Sequence, residues 1–485
     1  MAWTTEQRYK RYEQWTENEI QQIKNKIATS PWRATYHVEP DTGLLNDPNG
    51  FSYFDGKWIV FYQNFPFGAT HGLKSWVQLE SDDLVHFTET GVRVLPDTPL
   101  DSHGAYSGSA MQFDDKLFLF YTGNVRDENW VRHPYQIGAL LDKDGHIQKL
   151  NKVLIEQPQD ATDHFRDPQI FNYHGQFYAI VGEQNLDKKG YIKLYKVVDN
   201  DYTNWEEVGN LDFENDNTAY MMECPNLVFI DDKPILLYCP QGLSKKVTPY
   251  DNIYPNMYKI GQSFDTKKAT IVEPSPLQNL DYGFECYATQ AFNAPDGRAL
   301  AVSWLGLPDI AYPSDRFDHQ GTFSLVKELT LKDGKLYQYP VPAITSLRTD
   351  NSQTFANQAQ TTNCYELELE FTADSQAEIV LFADQEHKGL RIYFDIKNGQ
   401  VTVDRSQAGE QYALEFGTVR SCTIENQATT ATIFIDKSVF EIFINKGEKV
   451  FSGRVFPHEN QNGIFISEGN PTGTYYELDY GREVN

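Results

Sequence analysis

Three carboxylates stand in short segments built alike: Asn46-Asp47-Pro48-Asn49-Gly50, Arg166-Asp167-Pro168-Gln169-Ile170 and Glu223-Cys224-Pro225-Asn226-Leu227. Gathered in one pocket, such acids can bind a neutral polyhydroxylated ligand, because carboxylates accept hydrogen bonds from sugar hydroxyls without a metal. Two of them can also cleave a glycosidic bond, one protonating the leaving oxygen while the other, ionised, attacks or positions water. Glu223 is the expected acid: Met221, Met222, Cys224 and Pro225 offer it little solvation, and a nearby Asp47 or Asp167 disfavours a second charge. Asp47, in a Gly- and Asn-rich turn with many backbone donors, is expected to stay ionised and to serve as nucleophile. Asp167, next to Arg166, is expected to be ionised too and to grip substrate hydroxyls.

Two more segments, Tyr106-Ser107-Gly108-Ser109-Ala110 and Tyr287-Ala288-Thr289-Gln290-Ala291, extend the series to five. Each precedes an apolar, aromatic run, and the markers Tyr62, Tyr121, Ile180, Tyr238 and Trp304 in those runs follow one another at intervals of 59, 59, 58 and 66 residues. An internal repeat of that length suits a four-stranded antiparallel blade. Five such blades close into a propeller, which protects the sheet edges. Asp47 lies 15 residues before Tyr62, Asp167 lies 13 before Ile180 and Glu223 lies 15 before Tyr238, so the acids are expected at equivalent places on the first strands of blades one, three and four. Asp-Pro and Asn-Gly are also common turn punctuation; three acids in register across three repeats are not explained by turns alone.

The 485-residue chain exceeds one domain's usual size. Its net charge of −26 argues against nucleic acid and anionic membrane surfaces as partners. Five scattered cysteines show no zinc-site spacing, so the expectation is a reduced, cytoplasmic chain. The opening residues lack the pattern of a secretory signal, and no apolar run reaches membrane-spanning length. Thr4 with Gln7 forms a capping-box pattern, and Tyr9, Tyr12, Trp15, Ile20, Ile23 and Ile27 fall near helical spacing. This predicts a helical arm over 1–32 that packs on the propeller, the alternative being a dimerisation helix. The all-β reading continues with the propeller over 33–342, a polar linker over 343–355 and a β-sandwich over 356–485, where alternating segments such as Tyr365–Phe371 and Ala431–Asp436 have the period of half-buried strands.

From about residue 33 onward the chain resembles the β-fructosidases of glycoside hydrolase family 32. The resemblance rests on an ordered set: His37 through Gly50, Phe61-Tyr62-Gln63, Ser81-Asp82-Asp83-Leu84, Tyr106 to Ser109, Arg166-Asp167-Pro168, Glu223-Cys224-Pro225, Trp304-Leu305-Gly306 and, near the end, Phe434 to Phe443. It implies a five-bladed propeller plus β-sandwich that hydrolyses terminal β-fructofuranosides with retention, without metal or cofactor. Asp47 would attack the anomeric carbon, Glu223 would protonate the leaving oxygen and later activate water, and Asp167 would hold fructosyl hydroxyls. Asn46, Gln63, Trp76, Ser107, Arg166 and Tyr282 would line the fructosyl pocket. Tyr121 to Asp127 and Trp130 to Gln136 resemble the bacterial members that act on sucrose 6-phosphate. A phosphoryl group needs local positive charge, for which Arg126, Arg132, His133, Lys74, Lys245 and Lys246 are candidates. The rival expectations are an intracellular invertase or fructo-oligosaccharide hydrolase acting on unphosphorylated sugars, and a sugar-binding propeller without turnover.

Overall fold

The computed structural model describes residues 3–355 and 357–481; the expected domain limits at residues 1, 2, 356 and 482–485 lie outside the described residues. The chain is built almost wholly of antiparallel β-structure. The five recurring segments lie on Gly43–Phe54, Ala105–Phe113, Ala161–Tyr173, Met221–Ile230 and Tyr287–Asn293, each the first strand of its own sheet. Their antiparallel partners are the apolar runs, whose β-branched and aromatic side chains suit a pleated surface buried on both faces. Each ladder slips at the motif, between Leu45 and Pro48, Ala105 and Gly108, Arg166 and Gln169, Glu223 and Asn226, and Tyr287 and Gln290. Asp167, Cys224 and Ala288 take left-handed backbone angles there, with φ of 67°, 47° and 49°. Such bulges re-aim side chains and recur beside active sites.

The fourth residue of each segment joins its sheet to the next. The N–H of Gly108 donates to Asn49 Oδ1 (2.9 Å), that of Ile170 to Ser109 Oγ (2.9 Å), that of Leu227 to Gln169 Oε1 (3.1 Å), that of Ala291 to Asn226 Oδ1 (3.1 Å) and that of Phe51 to Gln290 Oε1 (2.7 Å). The series thus runs from the first sheet to the fifth and returns to the first. All five side chains are buried, so losing one strands a backbone donor away from water. Asn226 also donates to the carbonyls of Cys224 (3.1 Å) and Thr289 (3.0 Å). Asn226→Ala is therefore expected to destabilise the protein by about 2–4 kcal/mol, read as a lower denaturant midpoint with an unchanged slope.

Two six-stranded sheets follow and share one apolar core that includes Leu367, Leu369, Ile379, Leu381, Ile392, Phe394, Ile433 and Ile442. The polar stretch expected to be a linker is corrected: Arg348–Thr354 is itself a strand, paired with Thr472–Leu478. Its solvent-facing polar residues hide the strand from a composition argument. A buried carboxylate is among the groups that clamp the two halves of the chain together. Asp436 accepts from the N–H groups of Thr35 (2.6 Å), Tyr36 (2.8 Å) and His37 (2.8 Å), and the His37 ring bridges it to Glu441 at 3.0 and 3.1 Å.

The N-terminal arm is broken rather than continuous, with helices at Thr5–Arg8 and Glu17–Ile27 and a 3₁₀ turn at Tyr12–Gln14 between them. The Thr4–Gln7 capping box is present. The arm packs on the first sheet, where Trp15 stacks on Phe67 (4.2 Å between ring centroids) and Trp3 meets Phe65 edge-on. Among the described residues, no helix is long and apolar enough to cross a membrane.

Candidate active site

The bulges bring the second residues of the segments together. Asp47 accepts a very short hydrogen bond from Ser107 Oγ at Oδ2 and one from Asn46 Nδ2 at Oδ1 (3.1 Å). Asp167 Oδ2 accepts from the Cys224 N–H at 3.0 Å, and Cys224 Sγ lies 3.6 Å from both Asp47 Oδ2 and Asp167 Oδ2. Asp47, Ser107, Asp167 and Cys224 are thus equivalent members of four repeats meeting at one point. Glu223 is not in register with the two aspartates, which corrects the expectation of matched places: it stands one residue earlier, equivalent to Asn46, Arg166 and Tyr287. That offset places it in a separate layer, where Oε1 accepts from Arg166 Nη2 (2.6 Å) and Nε (3.2 Å) and Oε2 accepts from the Tyr287 hydroxyl (2.5 Å).

Arg166 corrects a second expectation. Its close contacts go to Glu223 rather than to its neighbour Asp167, whose Oδ2 lies 4.0 Å from Nε. Burial pushes the Asp167 carboxyl up to about 7, with Arg166 opposing and Glu223 and Asp47 adding to the rise. Burial also raises Asp47, helped by Glu223 and opposed by Ser107, Asn46 and Lys74. The two aspartates are therefore not simply ionised as the turn and the adjacent arginine suggested. Burial and mutual repulsion thus both disfavour charge on Asp47 and Asp167, and Arg166 and Lys74 oppose them. Glu223 is likewise not surrounded by apolar neighbours alone, since both its oxygens are held by polar groups.

Lys74 is not placed to meet a phosphoryl group. It is 2% exposed, with Nζ donating to Asn46 Oδ1 at 2.5 Å, and burial lowers it to about 7 against the pull of Asp47. That donation fixes the Asn46 amide, so its Nδ2 faces Asp47 and Gln63 Oε1 (2.5 Å). Removing the ammonium makes the Asp47 carboxylate harder to form. Lys74→Met is expected to lower kcat about tenfold and to move the acid limb of the kcat/KM profile to higher pH, which a pH series on both proteins measures.

Among the other expected pocket residues, Asn46, Gln63, Ser107 and Arg166 join the cluster. Trp76 does not: it is fully buried, packs against Phe61 and Tyr121, and donates its indole N–H to the Tyr106 carbonyl (3.0 Å). Tyr282 is also corrected, because its N–H bonds the Val450 carbonyl (2.8 Å) and its hydroxyl meets Lys449 (3.3 Å), at the seam with the second half of the chain. His133 is engaged by Asp127 (3.1 Å), and Lys245 lies over the Tyr250 ring (5.2 Å). Cys224 and Tyr287 were missed as site residues. Aligning the five segments residue by residue would have found both.

Converging carboxyl groups beside shared cations, on bulged strands of an all-β chain, define the class as a glycoside hydrolase. Residues 37–340 match the model of the glycosyl hydrolases family 32 N-terminal domain, and residues 339–479 match that of the glycosyl hydrolases family 32 C terminal. The chain belongs to glycoside hydrolase family 32. It is 66% identical over 473 residues to a sucrose-6-phosphate hydrolase of Streptococcus mutans, covering 98% of each chain, and 49% identical over 470 residues to one of Lactococcus lactis, covering 96% of this chain and 97% of that one. Among solved structures, a sucrose-6-phosphate hydrolase from Lactobacillus gasseri superposes with a TM-score of 0.96 at 42% identity, covering 99% of this chain and 100% of that one. A family 32 beta-fructofuranosidase from Bombyx mori gives a TM-score of 0.83 at 28% identity, covering 96% and 99%.

Proposed function

We propose that this chain is a retaining β-fructofuranosidase that hydrolyses sucrose 6-phosphate to glucose 6-phosphate and fructose, and sucrose as well, by double displacement through a fructosyl-enzyme. Asp47 is the nucleophile, seated between Ser107 and Asn46. Glu223, held by Arg166 and Tyr287, protonates the leaving oxygen and later activates water. Asp167 accepts from fructosyl hydroxyls, with Asn46, Gln63 and Ser107 completing the pocket. The full-length likeness to sucrose-6-phosphate hydrolases supports this reading.

A five-bladed propeller over 33–342 carries the site in this reading, followed by a β-sandwich that begins with the strand Arg348–Thr354. Support comes from the ring of side-chain to backbone hydrogen bonds that leads from the fifth first strand back to the first. Five buried free thiols suit a reducing cytoplasm.

The observation that carries the phosphorylated substrate is a pair of arginines beside the acids. Arg126 and Arg132 stand opposite each other at the end of one antiparallel ladder, and each buries a side-chain Nε with no hydrogen-bond partner. A phosphomonoester would supply the missing countercharge to Arg126 and Arg132. The test is the ratio of kcat/KM for sucrose 6-phosphate to that for sucrose, at fixed salt. A ratio of ten or more is expected, each tenfold being about 1.4 kcal/mol of differential transition-state binding. A ratio near one makes the enzyme an invertase, and no turnover of either sugar leaves a binding protein.

A further inference from the structure

The N-terminal arm lies across two loops at the rim of the site. The Leu73 N–H donates to the Arg8 carbonyl (2.7 Å), the Tyr12 hydroxyl donates to the Leu73 carbonyl (2.9 Å), and Arg11 Nη1 donates to the Ser102 carbonyl (2.9 Å). Leu73 adjoins the buried Lys74, and Ser102 precedes the strand that carries Tyr106 and Ser107. Between these anchors Tyr9 meets Trp130 edge-on (5.1 Å between centroids, 87°) and His103 at 5.9 Å. Trp130 is a large apolar residue held 43% exposed, in the left-handed backbone region with φ of 64°. Its carbonyl accepts from Arg126 Nη1 at 3.1 Å, and the Arg126 guanidinium lies 5.7 Å from its ring.

Three guanidinium groups near this ring box have no direct carboxylate partner among the described residues. Arg8, Arg126 and Arg132 each bury a side-chain Nε that has no hydrogen-bond partner, and among the described residues none forms an ion pair with a carboxylate. This is unusual for a chain with a net charge of −26. Arg132 lies within electrostatic range of Tyr106, Arg166, Arg126 and the carboxylate of Asp163, and Arg166 ties the cluster to the Glu223 side of the site. Partly buried like charges repel one another, and a dianion with several acceptor oxygens relieves them.

We infer that the N-terminal arm is a specificity element of the leaving-group subsite: Tyr9 braces Trp130 as a platform for a pyranose ring, and Arg8 joins Arg126 and Arg132 in holding a phosphomonoester on that ring. This rests on the reading that Glu223 protonates the leaving group and that the leaving group is phosphorylated. An exposed indole presents an apolar face to a sugar ring, and planar guanidinium groups match phosphate geometry.

The test uses the full chain with Arg8→Gln and Tyr9→Ala, assayed on both sugars. Arg8→Gln is expected to lower kcat/KM for sucrose 6-phosphate about ten- to a hundredfold while leaving that for sucrose within about twofold. Tyr9→Ala is expected to weaken both substrates through KM. Glucose 6-phosphate, as a competitive inhibitor of sucrose hydrolysis, is expected to lose the same factor in Arg8→Gln, with Arg8→Lys restoring part of it. If the wild-type protein prefers the phosphorylated sugar and Arg8→Gln keeps both that preference and the inhibition, the arm has no such role and only this inference falls. A wild-type ratio near one overturns the phosphorylated-substrate reading and this inference with it.

Discussion

Asp47→Asn is expected to lower kcat on sucrose 6-phosphate by about ten-thousandfold or more, equal to roughly 5.5 kcal/mol of lost transition-state stabilisation, while the substrate still binds. The substitution keeps the side chain's size and an oxygen that can accept from Ser107, so the pocket stays shaped for fructose. What it removes is the atom that forms the bond to the anomeric carbon, and no neighbour supplies a substitute. Asp167, on the third repeat, reaches the same point through Cys224 but is pinned by the Cys224 N–H. Calorimetric titration of the variant with substrate separates binding from chemistry, and mass spectrometry of the wild-type enzyme quenched during turnover identifies the esterified residue. A fructosyl group on the peptide containing Asp47 confirms the assignment. A variant that retains even a hundredth of wild-type kcat places the nucleophile elsewhere.

The repeat made the five strands and their order legible, because apolar aromatic runs at near-constant spacing require strands that bury both faces. The convergence of Asp47, Asp167 and Glu223 was legible for the same reason. The division of labour around them was not, because bulges and charge sharing act between repeats. Counting back from distant markers put Glu223 in register with the aspartates, whereas the slip in each ladder sets the frame locally, and by that frame Cys224 is the equivalent residue. Arg166 was paired with its sequence neighbour, yet adjacent residues on a strand point to opposite faces unless a bulge intervenes, and its guanidinium goes to the next sheet. The ring made by Asn49, Ser109, Gln169, Asn226 and Gln290 was written in the five segments and went unread, since three of these polar residues follow prolines and pass for turns. Trp76 shows the reverse error: an aromatic in a sugar enzyme invites a stacking role, but this one spends its indole N–H on the backbone inside a core.

Glu223→Gln is expected to separate the two halves of the reaction. With sucrose 6-phosphate the departing oxygen is a poor leaving group and needs a proton as the bond breaks, so kcat/KM falls by about a thousandfold, within the range that general acid catalysis contributes. With a β-fructofuranoside of p-nitrophenol the leaving group departs as a stabilised anion, so the same variant forms the fructosyl-enzyme at close to the wild-type rate. The second step then stalls, because the carboxylate that activates water is absent, and a burst of nitrophenol precedes slow turnover. Azide needs no general base and is expected to restore turnover by releasing fructosyl azide. Because glutamine retains an oxygen for Arg166 and a group of the same shape against Tyr287, loss of packing does not produce this pattern. Arg166→Lys provides the contrast: it leaves Glu223 its carboxyl but removes the paired N–H groups that hold it, and so slows both leaving groups without azide rescue. Equal losses on both substrates in Glu223→Gln, with no burst, would show that the proton comes from another group, and Asp167, held up to about 7 by burial in the same cluster, would be the next carboxyl to test.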